Sequence, residues 1–177
     1  MRADARRNRQ RIVGAALGLF AEHGPGVSME EIAQAADLGV GTLYRHFPDR
    51  RALVEDIAES TLTALRDQLC SSRKMGPWEA LLDMVRYCAG QPLALVTSLA
   101  ATAPASPSRA RLTGEIDALL TDLIKRAQHE NDMRSDFTPE QIAGLLNVAI
   151  CRPGARADDP LTTVLLDGLR ETRPTAT

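Results

Sequence analysis

Ser28-Met29-Glu30-Glu31-Ile32-Ala33-Gln34-Ala35-Ala36-Asp37-Leu38-Gly39-Val40-Gly41-Thr42-Leu43-Tyr44-Arg45-His46-Phe47 is the stretch that decides how this chain is read. It opens on a capping box, in which Ser28 can cap the Glu31 amide and Glu31 can reach back. Met29, Ile32, Ala33 and Ala36 then share one helical face. Asp37-Leu38-Gly39 breaks the pattern. Val40 to Phe47 leaves room for about two more turns, and Pro48 ends them. Two short helices joined by three or four residues are helix-turn-helix geometry. Its second helix, about residues 40–47 here, enters the DNA major groove with its N-terminal residues at the base edges.

The residue types suit that task. Gly41 lets the backbone come close to DNA, and Thr42 can offer a hydroxyl to a base or a methyl to thymine. Leu43 and Phe47, four apart, point into a small core. Tyr44, Arg45 and His46 project outward, where they can donate to phosphates. Arg50 and Arg51 fall in the first turn of the next helix and oppose its dipole, so they ask for a nearby anion such as a DNA phosphate.

Working outward, helical periodicity runs through the whole chain and strand signals are nearly absent. Ile12, Ala15, Ala16, Leu19 and Phe20 mark a first helix, stopped at Gly24-Pro25-Gly26. Asp49 caps a long fourth helix, residues 49–71, carrying Leu53, Ile57, Leu62, Leu65 and Leu69. Pro77 opens a fifth helix, Pro92 a sixth running to about Ala103, and Leu112 to Ala127 mark a seventh. Thr138-Pro139-Glu140-Gln141 starts an eighth and Asp159-Pro160 a ninth, with a frayed tail after about Thr172. The expected fold is all-α with about nine helices. Residues 1–50 are expected to form a DNA-binding head and residues 51–177 a helical body.

Composition narrows the classes. The 177 residues carry 21 basic and 23 acidic side chains, a net charge of −2, with 44% hydrophobic residues, enough for a real core. The charge is uneven. Residues 1–11 hold five arginines against Asp4, a net of 5 − 1 = +4, while residues 52–177 hold 13 basic and 17 acidic groups, a net of −4. A basic head on an acidic body suggests that the head alone meets a polyanion. Cys70, Cys88 and Cys151 are far apart, which argues against a disulfide framework or a zinc site. No apolar run nears the ~20 residues of a membrane span. The N-terminus does not read as a signal peptide, so a reduced, cytoplasmic protein is expected. Nucleophile elbow, H-E-x-x-H and P-loop motifs are missing, and no enzyme, metal or cofactor is expected. Gly39-x-Gly41 follows a helix and lacks a third glycine, so it is no nucleotide loop. Asp158-Asp159 is explained by helix capping rather than by a metal.

Arg11-x-x-x-Ala15-Ala16-x-x-Leu19-Phe20-Ala21-Glu22-x-Gly24, then Val27 to Ala33, then Gly39 to Arg50 with Leu53, resembles the TetR family of bacterial transcription regulators over about residues 9–56. The resemblance implies a homodimer on a palindromic operator, with a C-terminal pocket whose ligand releases DNA, and hence a repressor. Carried over by position, Ser28, Tyr44, His46 and Arg50 look like phosphate contacts. Thr42 and Arg45 look like base readers, with Val40 and Gly41 close to the groove. Arg6, Arg7 and Arg11 are placed to reach phosphates or the minor groove. The chain departs from the family at two places. Asp37 stands where many members have Gly, and Asp tolerates the left-handed conformation of a turn. Gly39-Val40 stands where many have Ser-Lys or Ser-Arg, which should weaken nonspecific affinity and leaves Val40 for a thymine methyl.

The C-terminal half is less specific. Trp78, Met84, Tyr87, Cys88, Leu99 and Leu123 are candidates for a pocket holding a modest, mainly apolar effector, although such residues at helical spacing are commonly plain core. Ile142, Leu146 and Ile150, with Leu161, Leu165 and Leu169, form two apolar stripes that could pair with their symmetry mates as a four-helix bundle. Two alternatives stay open at this point: a DNA-binding protein without a ligand pocket, and a small helical ligand-binding protein with a vestigial head.

Overall fold

The computed structural model describes residues 2–89, 91, 93–101 and 104–171. Among them lie nine α-helices: α1 (Arg2–His23), α2 (Met29–Ala35), α3 (Val40–His46), α4 (Arg50–Ser71), α5 (Pro77–Ala89), α6 (Leu93–Ala100), α7 (Pro107–His129), α8 (Pro139–Ile150) and α9 (Pro160–Leu169). The described residues hold no strand, only one isolated antiparallel bridge, Met133 to Arg170. Pro92 and Ala103, expected at the ends of the sixth helix, and the tail after Thr172 lie outside the described residues.

The helix starts follow from local chemistry. Ser28, Asp49, Ser106, Thr138 and Asp159 each accept a backbone N–H with the side chain at an N-cap, and Ser28–Glu31 and Thr138–Gln141 form complete capping boxes. Pro107, Pro139 and Pro160 sit in the first turn, where a missing N–H costs nothing. Helix α1 stops at Gly24, which adopts φ +73°.

The helices enclose two cores. In the head, Ile12, Ala16 and Phe20 of α1 meet Ile32 and Ala33 of α2, Leu43 of α3, and Leu53 and Ile57 of α4. Val96, Leu99 and Ala100 of α6 complete that core. In the body, Trp78, Leu81 and Met84 of α5 pack with Leu123 and Ile124 of α7, Ile142 and Leu146 of α8, and Leu169 of α9. Helix α4 belongs to both: Leu53, Ile57 and Ala58 lie in the head core and Leu69 in the body core. The division expected after residue 50 therefore falls in the first turn of a 22-residue helix that runs through both parts.

Candidate nucleic-acid interface and the cavity behind it

The head's turn is held by a left-handed aspartate. Asp37 adopts φ +50°, and the Arg11 guanidinium donates to its carbonyl at 3.1 Å and its carboxylate at 2.9 Å. Arg11 thus joins α1 to the turn that sets the angle between α2 and α3. Arg9 lies 5.5 Å above the Phe47 ring and pairs with Asp56 of α4. Arg50 is half-buried, 4.7 Å over the Phe20 ring, and donates to the Val27 carbonyl. These three arginines stitch the head together, a role that counting charge along the sequence does not reveal. Arg6 and Arg7 are exposed on α1.

Helix α3 presents an open face. Val40, Gly41, Tyr44 and Arg45 are exposed, while Leu43 and Phe47 are buried. A Cβ added at Gly39 or Gly41 would meet nothing within 4 Å, so packing within the chain does not demand a glycine at either position. Arg45 folds back along α3, donating to the Gly41 carbonyl at 3.2 Å and to the Thr42 hydroxyl at 2.9 Å. Thr42 and Arg45 thereby form one polar unit. The Tyr44 hydroxyl donates to Glu30 at 3.3 Å. Partial burial and then the Glu30 charge push the Tyr44 phenol above its usual range, so it stays a donor. Ser28 has its hydroxyl in the capping box, 3.1 Å from the Glu31 amide and 2.7 Å from its carboxylate. Backbone and hydroxyl hydrogen bonds from Ser28 hold the Glu31 carboxyl below its ordinary value. His46 is half-buried, its ring 6.5 Å from that of Phe47.

Behind the head lies a partly open cavity of about 460 Å³. Its wall is mostly apolar: Leu62 and Leu65 of α4, Met84 and Cys88 of α5, Leu93 and Val96 of α6, Ile116 and Leu120 of α7, and Leu146 and Ile150 of α8. Arg109, Thr113, Asp117 and Asn147 supply polar groups. Burial, with a smaller effect of Cys151, pushes the Cys88 thiol up to about 12, so it behaves as an apolar wall group. Of the pocket candidates named from sequence, Met84 and Cys88 line this cavity. Trp78 stands instead beside a smaller cleft with Arg170 5.6 Å over its ring, and Leu99 packs in the head core. Leu123 is buried in the body core, with Tyr87 against it. Periodicity gives the buried face of a helix, but not which part of that face is left without a partner.

The geometry agrees with relatives. A family model described as bacterial regulatory proteins of the tetR family matches residues 12–57. An HTH-type transcriptional regulator of Staphylococcus aureus is 52% identical over 54 residues, which are 30% of this chain and 29% of that relative's length. The match thus spans a little under a third of that curated relative's length. Solved structures extend the likeness across nearly the whole chain. A TetR transcription regulatory protein from Mycobacterium vanbaalenii is 32% identical, with a TM-score of 0.70, covering 96% of this chain and 98% of that one. A TetR transcriptional regulator from Streptomyces coelicolor is 30% identical, with a TM-score of 0.66, covering 93% and 99%. This chain belongs to the TetR family. It is a helix-turn-helix DNA-binding transcriptional regulator, and these similar proteins are regulators rather than enzymes.

On this TetR-family regulator the C-terminal apolar stripes divide. Ile142, Leu146 and Leu169 are buried inside their own subunit, Ile150 nearly so, and Leu165 is half-buried. The outward face of α8 and α9 is made by Leu145, Val148, Leu161 and Val164, with Val148 66% and Val164 70% exposed. Of the six residues proposed from sequence for a dimer, only Leu161 belongs to that outward set. The physical reason is rotation: the inward stripe is the more regular one, and it serves the subunit's own core. The Asp159 carboxylate caps α9, and Asp158 pairs with Arg156 at 3.0 Å. Among the described residues no group of three His, Cys, Asp or Glu could hold a metal, and no helix is long and apolar enough to cross a membrane.

Proposed function

We propose that this TetR-family regulator is a repressor that binds a palindromic operator as a homodimer and is released by a small, mainly apolar effector in the cavity between α4, α5, α6, α7 and α8. Tyr44, His46, Ser28 and the exposed Arg6 and Arg7 contact phosphates. Thr42 and Arg45 read bases, with Val40 and Gly41 against the groove. Arg11 and Arg50 act chiefly by fixing the head, since both already hold partners in it. The exposed faces of α8 and α9 join the two copies, which sets the heads about one turn of DNA apart, roughly 34–36 Å. The protein would act in the cytoplasm, where its DNA lies.

One observation carries this reading. Helix α4 begins in the head core and then walls the cavity. A ligand filling that cavity presses on the helix that positions the head. It releases DNA only if it binds the incompetent state better than the competent one, since equal affinity shifts nothing. A cavity of this size, within the roughly 300–1,000 Å³ typical of ligand sites, favours this reading over a DNA-binding protein without a pocket. Gly41 speaks against a vestigial head, because a helical glycine costs up to about 1 kcal/mol and nothing inside the chain requires it.

Selection from random duplexes tests the proposal. Enrichment of a palindrome with half-site centres roughly 10 base pairs apart is expected. Recovery of no enriched sequence at low salt would contradict it.

A further inference from the structure

The cavity wall holds one charged side chain in a mostly buried position. Arg109, in the first turn of α7, has only 12% of its side chain exposed and lines the cavity wall. Among the described residues lining that wall, it carries the one positive charge. Its Nε donates to the Glu55 carboxylate of α4 at 3.1 Å, and its Nη1 donates to the Ala100 carbonyl at the end of α6 at 3.2 Å. Glu55 also accepts from the Ser106 N–H at 3.2 Å, and the Ser106 hydroxyl donates to Glu59 at 2.9 Å. One small network therefore joins α4, α6 and α7 at the cavity's edge. Asp56, the next residue along α4, holds Arg9 of the head.

We propose that the effector is an amphipathic carboxylate whose anionic end takes Arg109 from Glu55, so that ligand binding unfastens α4 from α7. The inference rests on the reading of this cavity as the effector site. An apolar body fits against Leu62, Met84, Ile116 and Leu120. A carboxylate matches the guanidinium's planar fork, which a hydroxyl does not. The Thr113 and Thr61 hydroxyls on the same wall are already given to the Arg109 and Ile57 carbonyls. Asp117 lies eight residues along α7, about 12 Å away at 1.5 Å per residue, far enough not to repel an anion held at Arg109.

The release follows from Glu55. Burial alone would raise its carboxyl, yet the Ser106 hydrogen bonds and the Arg109 charge bring it below the ordinary value, so it is ionised. Once Arg109 turns to the ligand, Glu55 is a half-buried anion that has lost its counter-charge and keeps only Ser106 as a hydrogen-bond partner. Hydrating it draws α4 away from α7. Arg109 and Glu55 are thus positioning residues for the head, and Arg109 is also the ligand's anchor.

Three probes of equal length separate the possibilities: decanoate, decan-1-ol and decylamine. Their dissociation constants are measured by calorimetry on the full chain, and their release of a selected operator duplex by fluorescence anisotropy. Decanoate should bind at least roughly tenfold more tightly than the alcohol, the scale of one hydrogen bond to a charged group. Arg109→Met should erase that preference. Glu55→Gln, nearly isosteric, should tighten decanoate while reducing its power to release DNA, a split that a merely structural role would not produce. The alcohol or the amine binding as well as decanoate would overturn the inference and leave the cavity reading intact. Failure of all three to bind would overturn both. Arg109→Met that keeps the carboxylate preference while folded by circular dichroism would also overturn the inference.

Discussion

The head and the body are built from the same material, amphipathic helices with good caps, yet they use their interiors differently. The head closes around Ile12, Phe20, Ile32, Leu43 and Leu53, each at most 1% exposed, and arginines tie its outside together. The body buries an apolar set too but leaves about 460 Å³ open between α4, α5, α6, α7 and α8, where Ala58, Val96 and Ala100 at the edge of the head core also line the space. A reader of DNA needs one fixed shape, because the recognition helix must meet base edges within a fraction of an ångström. A sensor needs a place where contacts are missing, because a ligand can shift an equilibrium only through contacts it adds. The difference between closed and open interior is the difference between the two tasks.

Core truncation gives the largest test of that contrast. Leu43→Ala, in the closed head, should cost about 2–5 kcal/mol of stability in denaturant melts, and operator binding should go with it. Leu120→Ala, at the half-open cavity wall, should cost clearly less, because one side of that residue already faces empty space. Equal costs would mean that the cavity closes in solution. Next in size is the outward face of α8 and α9. Val164→Glu puts a charge at a 70% exposed apolar position, so the lone subunit should keep its melting temperature while sedimentation shows the dimer lost. An unchanged dimer would move the interface elsewhere.

Substitutions on the reading face come third. Arg45→Ala should cost roughly 1–3 kcal/mol of operator binding and relax preference at particular base pairs rather than at all of them. A uniform loss across sequences would assign Arg45 to the phosphates. Gly41→Ala should separate folding from reading. It should raise stability by up to about 1 kcal/mol, since the added methyl meets nothing in the chain, and should weaken operator affinity. A variant that binds as well as the parent would put Gly41 away from the groove.

The smallest effect concerns acid. Backbone N–H groups of Thr162 and Arg156, with Arg152 beside them, hold the Asp159 carboxyl at about 2, below its ordinary 3.8. A depressed folded-state value means stabilisation that is complete above the ordinary value and is lost as pH falls toward the folded one. The advantage of the parent over Asp159→Asn should therefore be full at neutral pH and fade between about pH 4 and 2 in circular dichroism melts. An advantage independent of pH would mean that capping by the neutral side chain accounts for all of it.

These contrasts also explain what could be read from the chain alone. The head was legible because local rules and long-range packing agree there. The Ser28–Glu31 capping box, the Asp37 turn and the Leu43/Phe47 spacing all lie within 20 residues, and the structure keeps each of them. Helix number and most helix starts were legible for the same reason, since caps are local. The cavity was not. Trp78 and Leu99 look like pocket residues by type and spacing, but where an apolar face ends up depends on which helix lies opposite. Nothing in the sequence singles out Arg109; only the packing of α4 brings Glu55 within 3.1 Å of it. The α8 and α9 stripes show the same limit. Regular spacing picks out mainly residues turned inward, while Leu145, Val148 and Val164, outside those two stripes, are left exposed together with Leu161.

Hydroxyl-radical footprinting of the selected duplex tests most directly whether two heads read DNA through one joined body. The expected pattern is two protected backbone patches, related by a dyad and one helical turn apart, both lost when Val164→Glu breaks the α8/α9 face. A single patch, or a double patch that survives in the monomeric variant, would contradict it.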